Sequence, residues 1–61
     1  QARPLLERAA EEGWAMRDLE RAYILHLLAR HGGHRGRTAE ALGIDRRTLY
    51  RKLKEYESDD G

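Results

Sequence analysis

The sequence predicts an all-α domain, and three observations lead there. Of 61 residues only four are β-branched (Ile24, Thr38, Ile44 and Thr48), and Val and Phe are absent, so a sheet has almost nothing to be built from. The abundant residues, Leu, Ala, Arg and Glu, all favour helix. The punctuation is helical as well, with Pro4 near the start and Gly13, Gly32-Gly33 and Gly43 dividing the chain into helix-length stretches.

Pro4 suits the first turn of a helix, where a missing N–H costs nothing. Leu5, Leu6, Ala9 and Ala10 then form a stripe that stops at Gly13, so residues 1–15 read as a short helix or linker. Trp14 and Met16 fall in the break that follows and are expected to be packing residues. The second helix should run from about Met16 to His31 and end at Gly32-Gly33, which take the left-handed conformation without penalty. Projected at about 100° per residue, Tyr23, Ile24, Leu27 and Leu28 cover one arc of it; Ala22, Leu25 and Ala29 cover another. A helix apolar nearly all round wants burial nearly all round. One face can pack on the rest of the chain, and the other is expected to meet a second copy unless the first helix folds back over it. Residues 16–33 are therefore read as a dimerisation helix and its cap.

A third helix should begin near Arg35 or Gly36 and end at Leu42, with Gly43 as the turn. Asp45 is a preferred N-cap for a fourth, reaching about Glu55. Leu49, Leu53 and Tyr56 recur at i, i+4 and i+7 and should face inward with Ile44, leaving Arg47, Tyr50, Arg51 and Lys54 outward. Residues 34–56 thus form one unit, and 57–61 read as an acidic, disordered tail.

Several function classes are excluded. So short a chain buries only about 60% of the surface its unfolded form exposes, so its core is marginal without a disulfide, a metal or a partner subunit. No cysteine is present, which removes disulfides and thiolate zinc sites and agrees with a reducing cytoplasm. His26, His31 and His34 are the only soft ligands; His31 and His34 straddle the glycine break, and nothing completes a tetrahedral set around them. Oligomerisation is the remaining source of stability. The longest apolar run, Ala22 to Leu25, is four residues, too short for a membrane span or a signal peptide. Ser58 is the only serine and sits in the polar tail. Glu11-Glu12 and Asp59-Asp60 do not converge on one site, and Gly32, Gly33 and Gly36 are turn and cap residues, not a phosphate loop. No catalytic, metal or cofactor residues are assigned, and the chain is not read as an enzyme. Beginning with Gln1 instead of methionine, it is expected to be a piece of a longer polypeptide.

The net charge of +1 hides a segregation. Residues 1–33 are neutral; residues 34–54 carry seven cations against two carboxylates, +5; from Glu55 onward the net is −4. A basic block between a neutral segment and an acidic end is the footprint of a polyanion-binding element, although a solvated helix face gives the same count. Placement adds to it. Two short helices joined by a tight glycine turn, the second basic on its outer face, form a helix-turn-helix. Ala39 is small where the helices cross, Gly43 permits the positive φ of the turn, and Ile44 and Leu49 plug the angle between them. The second helix of such a unit enters the major groove with its first residues against base edges, here Arg46, Arg47 and Thr48.

The string from Gly33 to Lys54, with Gly-Ile-Asp-Arg-Arg-Thr-Leu-Tyr-Arg-Lys-Leu at its centre, resembles the Fis-type helix-turn-helix. That module is shared by the factor for inversion stimulation and by the C-terminal domains of sigma-54-dependent activators of the nitrogen regulatory protein C kind. The preceding Leu19-Glu20-Arg21-Ala22-Tyr23-Ile24-Leu25 is similar to the module's dimerisation helix, and the resemblance covers about residues 17–56. It implies an all-α Fis-like domain that binds pseudo-palindromic double-stranded DNA as a homodimer through Leu19, Ala22, Leu25 and Ala29. It implies that Arg46 reads a base, a guanine being the partner to which arginine can donate two hydrogen bonds. Thr48, Arg51 and Lys52 would contact phosphates, Arg47 and Tyr50 the groove wall, and Lys54 and Arg37 would add to the DNA-binding surface. His34 stands where the family usually has asparagine, at a phosphate contact. Gly36 replaces a residue that often carries a hydroxyl or a charge, so only its backbone N–H can serve. Asp45 replaces asparagine or serine and is assigned capping alone. The resemblance further implies a cytoplasmic, nucleoid-associated bacterial transcription activator with an ATPase domain, and a response-regulator receiver domain upstream. Contact with RNA polymerase would come only through those other domains, and no membrane is involved.

A protein-interaction module, dimeric and docking its basic helix on an acidic partner, is the competing reading. Salt and competition separate the two, because a partner complex shows no preference for a symmetric duplex.

Overall fold

The computed structural model describes the backbone of residues 4–60 and the side chains of residues 4–58. It contains four α-helices and, among the described residues, no strand: α1 Leu5–Glu12, α2 Met16–Arg30, α3 Arg35–Leu42 and α4 Arg46–Asp60. The all-α class read from composition is the one observed. Each helix starts within one residue of where the sequence puts it. Pro4 immediately precedes α1, and its carbonyl accepts from the N–H of Arg8. At the start of α2 the Ala15 N–H donates to Asp18 Oδ2 at 2.9 Å, one half of a capping box, since alanine has no side chain with which to return the bond. His34 caps α3 through its ring, and Asp45 caps α4 through its carboxylate.

The turn between α3 and α4 sets the geometry of the site. Gly43 has φ +76°, a left-handed conformation that L side chains rarely adopt. The N–H of Gly43 donates to the Glu40 carbonyl and that of Ile44 to the Ala39 carbonyl, so two of the last four carbonyls of α3 find partners as the chain reverses. Ala39, fully buried at the crossing, lets the two helices approach closely.

α3 packs on both α2 and α4. Ile24, Ala39, Leu49 and Leu53 form the core, with Leu28, Leu42, Ile44 and Tyr56 half-buried against it. Thr38 is buried with them, its hydroxyl satisfied by donating to the His34 carbonyl at 2.9 Å. A guanidinium from α2, that of Arg21, stacks 5.4 Å from the ring centre of Tyr56 at the edge of this core.

Three expectations change. Met16 is 81% exposed, so it does not pack within the chain; only Trp14 of that pair is half-buried. The arc of Tyr23, Ile24, Leu27 and Leu28 is not buried as a set: Ile24 goes to the core, Leu27 and Leu28 are half-buried, and Tyr23 faces outward. α4 passes the expected end at Glu55, so residues 57–60, read as a disordered tail, continue the helix. No Gly or Pro interrupts that stretch, and Tyr56 holds it against the core. Arg3 and the side chains of Asp59 and Asp60, counted in the charge balance, lie outside the described residues. Among the described residues no helix is long and apolar enough to cross a membrane.

Candidate nucleic-acid interface

α4 is a fifteen-residue helix with two unlike sides. Leu49 and Leu53 are buried, and Arg46, Arg47, Tyr50, Arg51 and Lys54 are exposed. This division follows from helical spacing: burying positions 49 and 53 turns 47, 50, 51 and 54 away from the core. Tyr50, a large aromatic, is 52% exposed, and the Lys54 ammonium lies 5.7 Å from its ring centre. The carboxylates Glu55 and Glu57 share the helix, yet among the described side chains none of Arg46, Arg47 and Arg51 forms an ion pair.

The beginning of α4 is fixed by its cap. Asp45 Oδ1 accepts from the Thr48 N–H at 3.0 Å, and that bond holds the carboxyl below the usual carboxylate range. Thr48 is half-buried beneath it, with its backbone committed to the cap. Alongside lies the start of α3, where His34 Nδ1 accepts from the Arg37 N–H at 3.1 Å. Gly33, His34, Arg35, Gly36, Arg46, Arg47 and Tyr50 together line a shallow cleft of about 570 Å³. Three guanidinium groups and the positive end of α3 converge there, an arrangement that attracts a polyanion.

Most of the DNA-binding residues expected from the sequence therefore share one side of the domain. Arg46, Arg47, Tyr50, His34 and Gly36 meet in the cleft, and Arg51 and Lys54 extend the exposed basic side of α4. Arg37 is exposed but lines no part of the cleft. Lys52 differs from the rest. Its Nζ donates to Glu20 Oε1 of α2 at 3.0 Å, which holds the ammonium above the usual lysine range and ties it to a neighbouring helix. Sequence reasoning missed Arg35 as a cleft residue; its place one step after the N-cap of α3 was the available signal. Glu20 carried none, because it pairs with a residue 32 positions away.

The four positions expected at the dimer interface lie along α2: Leu19 and Ala22 half-buried, Leu25 and Ala29 exposed. They continue into a wider apolar surface. Leu5, Leu6, Met16, Leu19 and Tyr23 line a groove of about 590 Å³ between α1 and α2, with Leu6 70% exposed.

Residues 15–56 match the family described as "Bacterial regulatory protein, Fis family", a span that includes α2, the turn and the whole basic surface. The chain belongs to the Fis family of bacterial regulatory proteins. Over 37 residues, 61% of the chain, it is 51% identical to the Sinorhizobium fredii protein named "Putative transcriptional regulatory protein y4pA". It spans 6% of the length of that relative. No solved structure matches the chain. A Fis-family helix-turn-helix is a double-stranded-DNA-binding, regulatory module, and the exposed basic side of α4 is the surface suited to that task.

Proposed function

We propose that this Fis-family chain binds a pseudo-palindromic duplex site sequence-specifically as a homodimer and holds a larger transcription activator at that site. The observation that carries the reading is α4 itself, with Leu49 and Leu53 in the core, Arg47, Tyr50, Arg51 and Lys54 exposed on the side away from it, and Arg46 exposed in the first turn. At about 1.5 Å per residue it is about 22 Å long, and its first turns would lie in the major groove. Arg46 is the base reader, presenting its two-pronged donor face to guanine. Thr48, Arg51, His34 and the Gly36 N–H contact phosphates, Arg47 and Tyr50 line the groove wall, and Arg37 and Lys54 add positive charge. Lys52 acts from the flank of the helix once it is released from Glu20.

Two copies meet through Leu19, Ala22, Leu25 and Ala29, an outward side of α2 that the other described residues do not cover fully. A twofold pair presents two α4 helices to half-sites about 34 Å apart, or closer if the DNA bends. The parent molecule would be a cytoplasmic, nucleoid-associated sigma-54-dependent activator of the response-regulator kind, with its ATPase and polymerase contacts in other domains.

Selection of bound duplexes from a random pool, followed by titration of the best sequence at several salt concentrations, tests this. A twofold-symmetric consensus is expected, with affinity falling about 10³–10⁵-fold between 50 and 200 mM salt if some eight phosphates are engaged. Recovery of no consensus, or salt-insensitive binding, rejects the reading in favour of docking on a protein partner.

A further inference from the structure

The cleft between α3 and α4 has an unusual floor. Gly36 lies in the first turn of α3, inside a helix, where it gains nothing from glycine's freedom and weakens the helix relative to alanine. Its backbone needs no left-handed φ. What it leaves open is space. A Cβ at position 36 would stand 3.2 Å from His34 Cε1, 3.6 Å from His34 Nδ1 and 3.5 Å from Cδ of Arg46. The first distance is tighter than carbon atoms normally tolerate, and the last is an ordinary van der Waals contact. The ring cannot easily retreat, because its Nδ1 is held by the Arg37 N–H at 3.1 Å. The capping imidazole and the aliphatic stem of Arg46 thus border one small volume that exists only because residue 36 has no side chain.

We infer that Gly36 is a specificity-determining position: by leaving that volume open it lets the His34 ring cap α3 while the Arg46 stem lies across the same spot, which sets the direction from which the guanidinium reaches out. An arginine on an exposed helix turn has many rotamers, and a base-reading arginine must present its planar fork in one of them. A surface for the stem to rest on narrows the choice before DNA arrives, which is preorganisation. A methyl group at position 36 would touch the stem at ordinary contact distance but press on the ring, which must give by a few tenths of an ångström and so disturb the space it shares with the stem. Gly36 and His34 are positioning residues here, acting through Arg46, and the inference rests on the reading of Arg46 as a base contact.

The test compares the chain with its Arg46→Ala, Gly36→Ala, His34→Asn and Gly36→Ala/His34→Asn variants by duplex selection from a random pool, with thermal melting of each. Arg46→Ala should relax preference at one base pair of each half-site. Gly36→Ala should relax the same base pair and weaken binding to the best site between about 3- and 30-fold, part of what a bidentate arginine–guanine contact supplies. Asparagine caps a helix well with a shorter side chain, so the double variant should regain preference and affinity toward those of His34→Asn alone. A purely structural role for Gly36 would lower melting without moving the selected base. If Arg46→Ala changes the preference and Gly36→Ala does not, the inference is wrong and the base reader stands. If Gly36→Ala changes it but the double variant does not recover, the ring is not the cause and the inference is equally overturned. If Arg46→Ala leaves the preference untouched, the assignment of Arg46 fails and takes the inference with it.

Discussion

Asp45 and His34 serve the same purpose with different atoms. Each stands one residue before a helix of the helix-turn-helix and accepts a backbone N–H three residues on, Asp45 from Thr48 and His34 from Arg37. Both bonds orient the first turn of a helix that lines the basic cleft. The carboxylate adds a dependence on acidity. Because the hydrogen bond from Thr48 lowers its pKa in the folded state, the ionised cap stabilises the fold in full above the unfolded value of about 3.8. That contribution is lost as pH falls through the lower, folded value. Asp45→Asn retains an acceptor that does not titrate, so its melting temperature should depend less steeply on pH between about 5 and 2 than that of the unaltered chain. Melting followed by circular dichroism decides it, and identical slopes would mean the Asp45–Thr48 bond is not formed in solution. Lys52 is the counter-example to reading side chains from sequence: a cation in a basic stretch, it spends its charge on Glu20.

α2 and α4 are equally long and differently used. α4 gives the core a narrow stripe, Leu49 and Leu53 with Tyr56 half-buried in line with them, and carries Arg47, Arg51 and Lys54 on the side away from it. So narrow a stripe makes each member important. Leu49 is fully buried at the centre of the core, and Leu49→Ala should cost about 2–5 kcal/mol, read as a lower denaturation midpoint at unchanged slope. In a domain of this size that is a large part of the total stability. A cost below about 0.5 kcal/mol, the range of ordinary surface changes, would contradict the central position of Leu49. α2 is apolar on more than one side, giving Ile24 to the core and keeping Leu25 39% exposed. α1 does not resolve this imbalance. It buries Ala9, while Leu5 and Leu6 remain open beside Met16 and Tyr23.

The chain as a unit therefore has a polar, basic side built from α3 and α4 and an apolar side built from α1 and α2. The exposed apolar surface is, under the proposed function, what a second copy would cover, adding burial to a small core. Under the proposed function, a charge on the outward side of α2 should separate the copies. Leu25→Glu should halve the mass measured by light scattering, remove any rise of melting temperature with protein concentration, and lower affinity for a symmetric duplex. A dimer that survives Leu25→Glu places the interface elsewhere, and the groove beside Leu6 and Met16 becomes the surface to alter next.

Much of this was readable in the order of residues alone. The helical class, the turns at Gly13, Gly32-Gly33 and Gly43, the Asp45 cap and the inward Leu49 and Leu53 all follow from local spacing and local chemistry. Such signals act between residues a few positions apart and need no knowledge of the rest of the chain. The division of α4 into a buried and a charged side was readable for the same reason, and so was the approximate location of the basic surface. What happens between distant segments was not. Glu20 meets Lys52, Arg21 covers Tyr56, and His34 shares the space over Gly36 with Arg46 only because α3 brings α2 and α4 together. The sequence determined which helices form and which side of each is apolar; tertiary packing alone decided which apolar sides are covered and which cations stay free, since burial and pairing depend on neighbours the folded chain supplies.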